Sequence, residues 1–240
     1  MRLIILGEPN HSLAADLSAR FTAAGVEVIR PPQEDGDIAA FLDAAHGADA
    51  GIDFCVPAQD LKTGYLALLD RSLPLGAPLL TCCHAASATS LAAKCAHPDE
   101  IAGFALLPPW DNRTTVECAR ALQTSDATVA AAEIVWGAIG LEPVWVGDSA
   151  GLVLPRIVAC LANEAFFALM DGTASAADID QAMMLGTRYP RGPLAWAELI
   201  GLDHVLATLD ALAAEQGDDR YRAAPLLRRL VAAGMTGIDR

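Results

Sequence analysis

Between Leu3 and Val146, short apolar runs alternate with helix-patterned segments, and beyond Gly151 the strand signal stops. This change of period constrains the fold more than any other feature of the chain. Strands are expected at 3–6, 26–29, 52–56, 78–81, 101–104, 116–121 and 143–146. Helices are expected among them at 13–24, 37–47, 59–71, 87–95 and 128–139. Such alternation predicts an open α/β sheet covered on both faces. The remainder fits helices at 152–170, 176–186, 193–199, 202–215 and 225–233. Ser175-Ala176-Ala177-Asp178 is a capping-box-like start, with Asp in place of the usual Glu. Gly172, Gly186 and Gly217 stand where helices should stop. The boundary is expected at Gly147-Asp148-Ser149-Ala150, giving one domain over 1–148 and a second over 149–240.

Composition narrows the class of function. The chain is 53% hydrophobic, which predicts a buried subunit interface, because a monomer should not expose large apolar patches. The most apolar helix, near 153–170, carries Arg156, Asn163 and Glu164, so it is expected as a core helix and not a membrane span. No stretch resembles a signal peptide. A net charge of −14 argues against nucleic acid, whose binding rests on neutralising phosphates. It also gives an anionic cofactor no long-range attraction, so phosphate contacts must come from local Arg residues or backbone N–H groups. Of the six cysteines none forms a C-x-x-C, and Cys55, Cys118 and Cys160 sit within apolar patterns. Reduced, buried thiols in a cytoplasmic protein are expected. Cys82-Cys83-His84 places its ligands too close together for one tetrahedral ion, so no metal is expected.

The first strand ends at a turn where a dinucleotide site would read G-x-G-x-x-G. Here it reads Gly7-Glu8-Pro9-Asn10-His11-Ser12. The second glycine of that fingerprint lets backbone approach the pyrophosphate, and the third lets the helix pack close to the strand. Pro9 and Ser12 occupy those places, and Pro9 offers no N–H. Gly7, Asn10 and Ser12 remain the candidate phosphate contacts, through N–H groups at the helix N-terminus. The simpler alternative is a turn whose Asn10 or Ser12 caps the helix.

The second half reads "GLVLPRIVACLANEAFFALMDGTASAADIDQAMMLGTRYPRGPLAWAELIGLDHV". It resembles the C-terminal domain of 3-hydroxyacyl-CoA dehydrogenases, which carries G-F-x-x-N-R, N-E-A, D-I-D-x-A-M-x-L-G-x-x-x-P-x-G-P and a G-L-D helix start. The matching residues are Gly151, Arg156, Asn163-Glu164-Ala165, Asp178-Ile179-Asp180, Ala182-Met183, Leu185-Gly186, Pro190, Gly192-Pro193 and Gly201-Leu202-Asp203. The resemblance implies a Rossmann-like N-terminal domain for NAD, followed by an all-α dimerisation domain, a 6-phosphogluconate-dehydrogenase-like arrangement with acyl-CoA held between the two.

Against the family pattern several chemical positions have changed. The second strand ends Ile29-Arg30-Pro31-Pro32, without the acid that would bind ribose, and Glu34 and Asp35 are expected as solvated loop residues. Two NAD contacts are thus altered, and loss of ordinary NAD binding is the expectation. Where the family has G-x-H-F-F-N-P, this chain has "GFALLPPW", so Ala105 replaces the catalytic His and Pro108 the Asn. Glu117 matches the Glu that orients that His; otherwise it is a strand carboxylate paired with Arg113 or Arg120. The family's S-N-T-S-S aligns with Thr81-Cys82-Cys83-His84-Ala85, placing His84 at a functional Ser, and the Asn of G-F-x-x-N-R becomes Pro155. His84 facing Glu117 would make an acid–base pair near neutral pH; the alternative is a plain polar His at a strand-to-helix junction. Arg188 and Arg191 flank Tyr189-Pro190 and are either substrate contacts to a CoA phosphate or solvated loop charges. Arg156 is expected at an inter-domain or helix-terminus contact.

The chain therefore resembles the second, catalytically incomplete copy of this domain pair in longer family members. The leading expectation is a non-catalytic or weakly active acyl-CoA-linked protein that forms a homodimer or partners a dehydrogenase. The alternatives are a diverged oxidoreductase using His84 and Glu117 on a hydroxyacyl-CoA or small hydroxy or keto acid, and a structural dimerisation module.

Overall fold

The structure is a computed structural model that describes residues 1–7, 12–31, 38–54, 59–109 and 112–238. It divides into two compact units, Met1–Leu152 and Val153–Arg240.

The first unit holds a seven-stranded sheet: β1 (Arg2–Leu6), β2 (Glu27–Ile29), β3 (Ala50–Asp53), β4 (Leu79–Cys82), β5 (Ile101–Ala105), β6 (Thr115–Arg120) and β7 (Glu142–Val146). Its order is β2-β1-β3-β4-β5-β6-β7, parallel throughout except that β5 and β6 run antiparallel. Helices α1 (Ser12–Ala23), α2 (Ile38–Ala45), α3 (Gln59–Ser72), α4 (Ala88–Ala92) and α5 (Asp126–Gly137) lie between the strands in sequence. Leu3, Ile4, Ile5 and Leu6 are all buried, as a continuous apolar run requires when both faces of a parallel sheet are covered. On one face Phe54, Phe104 and Trp136 pack in a row, with ring centroids 4.9 and 5.1 Å apart.

Asp148, expected in the inter-domain boundary, instead does a job inside the first unit. Its carboxylate accepts from the N–H groups of Ala88 (2.6 Å) and Thr89 (2.8 Å), so with Ser87 it caps α4.

The second unit contains α6 (Leu154–Met170), α7 (Ala176–Thr187), α8 (Pro193–Ile200), α9 (Leu202–Gln216) and α10 (Pro225–Ala232). Ser175 caps α7 by accepting from the Asp178 N–H at 3.2 Å, as its sequence predicts. The expected stop at Gly186 is corrected: α7 continues to Thr187, and Arg188 takes the left-handed cap conformation at φ 57°. The family-type motif has a structural reason. Asp180 is buried and its carboxylate accepts from Leu194 N–H (2.8 Å) and Ala195 N–H (3.0 Å), capping α8. Gly192 leaves room for that carboxylate, since an added Cβ would overlap the Asp180 side chain. Asn163 ties α6 to the segment before α10, donating to Arg222 O and accepting from Ala224 N–H. Ile157, Met184 and Leu185 leave apolar side chains of α6 and α7 exposed, Leu185 at 74%.

The described cysteines form no disulfide. Cys118 is buried as expected, Cys160 is only half-buried, and Cys55 lies outside the described residues. Among the described residues no helix is long and apolar enough to cross a membrane.

Candidate active site

The connection after β1 runs to β2 on one side and that after β3 runs to β4 on the other, so the winding reverses between β1 and β3. Ligands of open α/β sheets bind outside the carboxyl ends of the strands at such a switch point. Gly7 follows β1 there, and an added Cβ would fall 2.7 Å from Ala14 Cβ. Gly7 thus provides the close strand–helix approach. Asn10 lies outside the described residues. Ser12 is the first residue of α1, and its side chain lies outside them too. Beside Leu6, at the end of β1, an apolar concavity is lined by Pro31, Phe41, Leu42, Tyr65 and Leu68. Its volume is about 20 Å³, room for a single water and not for a nucleobase.

One strand further along, Asp53 ends β3 and is fully buried. Lys62, in the first turns of α3, reaches it with Nζ 2.7 Å from Oδ2, and Thr81 of β4 donates to the same oxygen at 2.8 Å. Burial alone would pull the Lys62 ammonium down, but the Asp53 charge and hydrogen bond outweigh it and hold its pKa above the ordinary value. Sequence reasoning missed this cluster. The available signal was Asp53 itself, a charge inside an apolar strand run that must find a partner.

His84 lies just past β4 and is 4% exposed. The neighbouring Cys83 fixes the loop, its N–H donating to Phe104 O (2.8 Å) and its carbonyl accepting from Gly151 N–H (2.7 Å). In register, Cys82 stands beside Phe104, and Ala105 stands opposite Glu117. The structure therefore places the His84 loop, Ala105 and Glu117 on three adjacent strands, β4, β5 and β6. Neighbouring strands are about 4.8 Å apart, which puts the outer two backbones about 10 Å apart. Arg120 is paired with Asp126 at 2.7 Å. Arg113 is lowered by burial, with Glu117 acting against that shift. The Cys83 thiol is pushed well up by burial, so it is held as a neutral thiol.

Arg188 and Arg191 stand on the second unit. Arg188 is exposed and caps α7, whereas Arg191 is half-buried with its Nε unbonded among the described residues. Arg156 finds its contact within the same unit: it donates to the Tyr221 hydroxyl, and Arg220 stacks over the same ring at 4.8 Å.

Comparison with known proteins adds the lineage. A family model described as 3-hydroxyacyl-CoA dehydrogenase, NAD binding domain, matches residues 21–149, and one for the C-terminal domain matches 151–239. A probable 3-hydroxybutyryl-CoA dehydrogenase of Bacillus subtilis is 34% identical over 83% of this chain and 70% of its own length. A 3-hydroxybutyryl-CoA dehydrogenase of Clostridioides difficile is 36% identical over 79% of this chain and 67% of its own. The crystal structure of an (S)-3-hydroxybutyryl-CoA dehydrogenase from Ralstonia eutropha superposes with TM-score 0.79 at 28% identity, covering 100% of this chain and 99% of that one. These matches overturn the expected loss of NAD binding: the NAD-binding domain model and both relatives point to NAD use. The altered turn residues 8–11 lie outside the described residues, and the match to the NAD-binding domain runs over residues 21–149 as a whole.

Proposed function

This chain belongs to the 3-hydroxyacyl-CoA dehydrogenase family, and we propose that it is a weakly active nicotinamide-dependent oxidoreductase of 3-hydroxyacyl thioesters of coenzyme A. The observation that carries this reading is the buried His84 at the carboxyl end of β4, beside the strand on which Ala105 faces Glu117. Ala105 has no proton to exchange. His84 is the strand-end group whose ordinary pKa suits transfer near neutral pH.

The residues that would hold the dinucleotide are Gly7 after β1 and the N-terminus of α1, whose N–H groups would meet its phosphates. When bound, the nicotinamide accepts or returns the hydride. His84 takes the substrate hydroxyl proton during oxidation and restores it during reduction. Glu117 favours the charged imidazole while it holds that proton, and burial strengthens the interaction. The Asp53–Lys62–Thr81 cluster locks the ends of β3 and β4, so the loop carrying His84 springs from rigid support. Arg188 and Arg191 are the proposed contacts for CoA phosphates. The exposed Ile157, Met184 and Leu185 support pairing with a second copy.

Ala105 itself favours a second reading, an acyl-CoA-binding partner of an active dehydrogenase. Consumption of NADH and NADPH with acetoacetyl-CoA, alongside calorimetric binding of acetoacetyl-CoA, separates the two. Turnover that depends on His84 supports the oxidoreductase; binding without turnover supports the partner role.

A further inference from the structure

The second unit carries a cavity that the proposed reaction does not use. Its volume is about 350 Å³, within the size range of small-ligand sites. Arg156, Cys160 and Glu164 recur every fourth residue along α6, so one face of that helix lines it. Ile157 and Leu161 flank this row and make the middle of the cavity apolar. At a rise of 1.5 Å per residue, the Arg156 and Glu164 backbones stand about 12 Å apart along the helix. The Arg156 end is closed by Tyr221, which is 2% exposed. Arg156 donates to the Tyr221 hydroxyl, and the guanidinium carbons of Arg156 and Arg220 lie 5.2 and 4.8 Å from the ring centre. The hydroxyl therefore accepts one bond, while its own proton has no acceptor among the described residues. Arg156 has no carboxylate partner among them, and Arg220 shares its charge with the exposed Asp218 at 3.2 Å. Burial raises the pKa of the Cys160 thiol, with both guanidiniums acting against that shift, so the middle of the cavity is neutral and faces two cations.

Two guanidiniums and an uncommitted phenol proton at one end of an apolar trough form a donor set for one carboxylate. We infer that this cavity binds a monocarboxylate with an apolar tail of medium length. Arg156, Arg220 and Tyr221 hold the carboxylate, and the tail lies over Ile157, Cys160 and Leu161. Glu164 stands at the tail end and repels a second carboxylate, so a dicarboxylate of the same length is rejected. The site is built from the second unit alone and does not depend on the cofactor reading.

The full chain is titrated calorimetrically with octanoate, octanedioate and 1-octanol, each below its aggregation concentration. Wild type is expected to bind octanoate at one saturable site, about tenfold more tightly than either of the others. Tyr221→Phe keeps the ring and Arg220→Ala changes an exposed side chain, so both variants should fold. Each should weaken octanoate about tenfold and leave 1-octanol unchanged. Glu164→Gln should bring octanedioate close to octanoate. No saturable binding, equal affinity for octanoate and 1-octanol, or an octanoate preference that survives both Tyr221→Phe and Arg220→Ala overturns the assignment. Octanoate binding that disappears as sedimentation shows the chain pairing makes the cavity an interface between copies and also overturns it.

Discussion

Replacing Lys62 with Met should destabilise the sheet-containing unit more than any surface change of similar size. Lys62 is 1% exposed and Asp53 is 0% exposed, with 2.7 Å between Nζ and Oδ2. Without the ammonium, the fully buried Asp53 carboxylate loses its opposite charge and keeps the Thr81 hydroxyl. Removing one partner of a buried pair costs about 3–5 kcal/mol. That is a third or more of the total for a domain at the lower end of the usual range of about 5–15 kcal/mol. Adding Asp53→Asn removes the stranded charge and should recover much of the loss, so the two single effects must not add. The pH dependence follows from the sign of the shift. The folded-state ammonium is held above its unfolded value, so its contribution is complete below the ordinary lysine pKa of about 10.4 and fades only as pH rises through the higher folded value. Urea unfolding followed by circular dichroism should therefore show a constant gap between wild type and Lys62→Met from neutral pH to about pH 9. A loss below about 1 kcal/mol, or a double variant as weak as the summed singles, would refute the argument.

Asp180→Ala should cost about 1–2 kcal/mol in chemical unfolding by uncapping α8, and Gly192→Ala should lose stability through overlap with the same side chain. Burial pushes the Cys118 thiol up to about 12, so it should not react with a disulfide reagent at pH 8 until the protein is unfolded; rapid native labelling would count against that burial. Leu185→Lys should shift a dimer toward monomer in sedimentation velocity, and an unaltered mass would remove α7 as the pairing face.

The sheet was legible because Leu3–Leu6 and Leu79–Cys82 are uninterrupted apolar runs, which only strands covered on both faces can bury. The reversal of β6 was not legible, since strand direction depends on partners far away in sequence. The capping role of Asp148, placed at the domain boundary, was not legible because a cap supplied across 60 residues leaves no local pattern. That Ala105 stands opposite Glu117 was not legible either, since it follows from the antiparallel register of β5 and β6. The expectation about NAD failed for a different reason: it weighed a few altered turn residues, whereas the whole of residues 21–149 matches the NAD-binding domain.

The central claim, that His84 has taken over proton transfer beside Ala105, is tested most directly by the turnover number for acetoacetyl-CoA reduction in wild type and His84→Ala. Removing a working general acid–base should lower it by about 10²–10⁴-fold with little change in acetoacetyl-CoA affinity. Wild-type turnover that survives unchanged in His84→Ala would contradict the account.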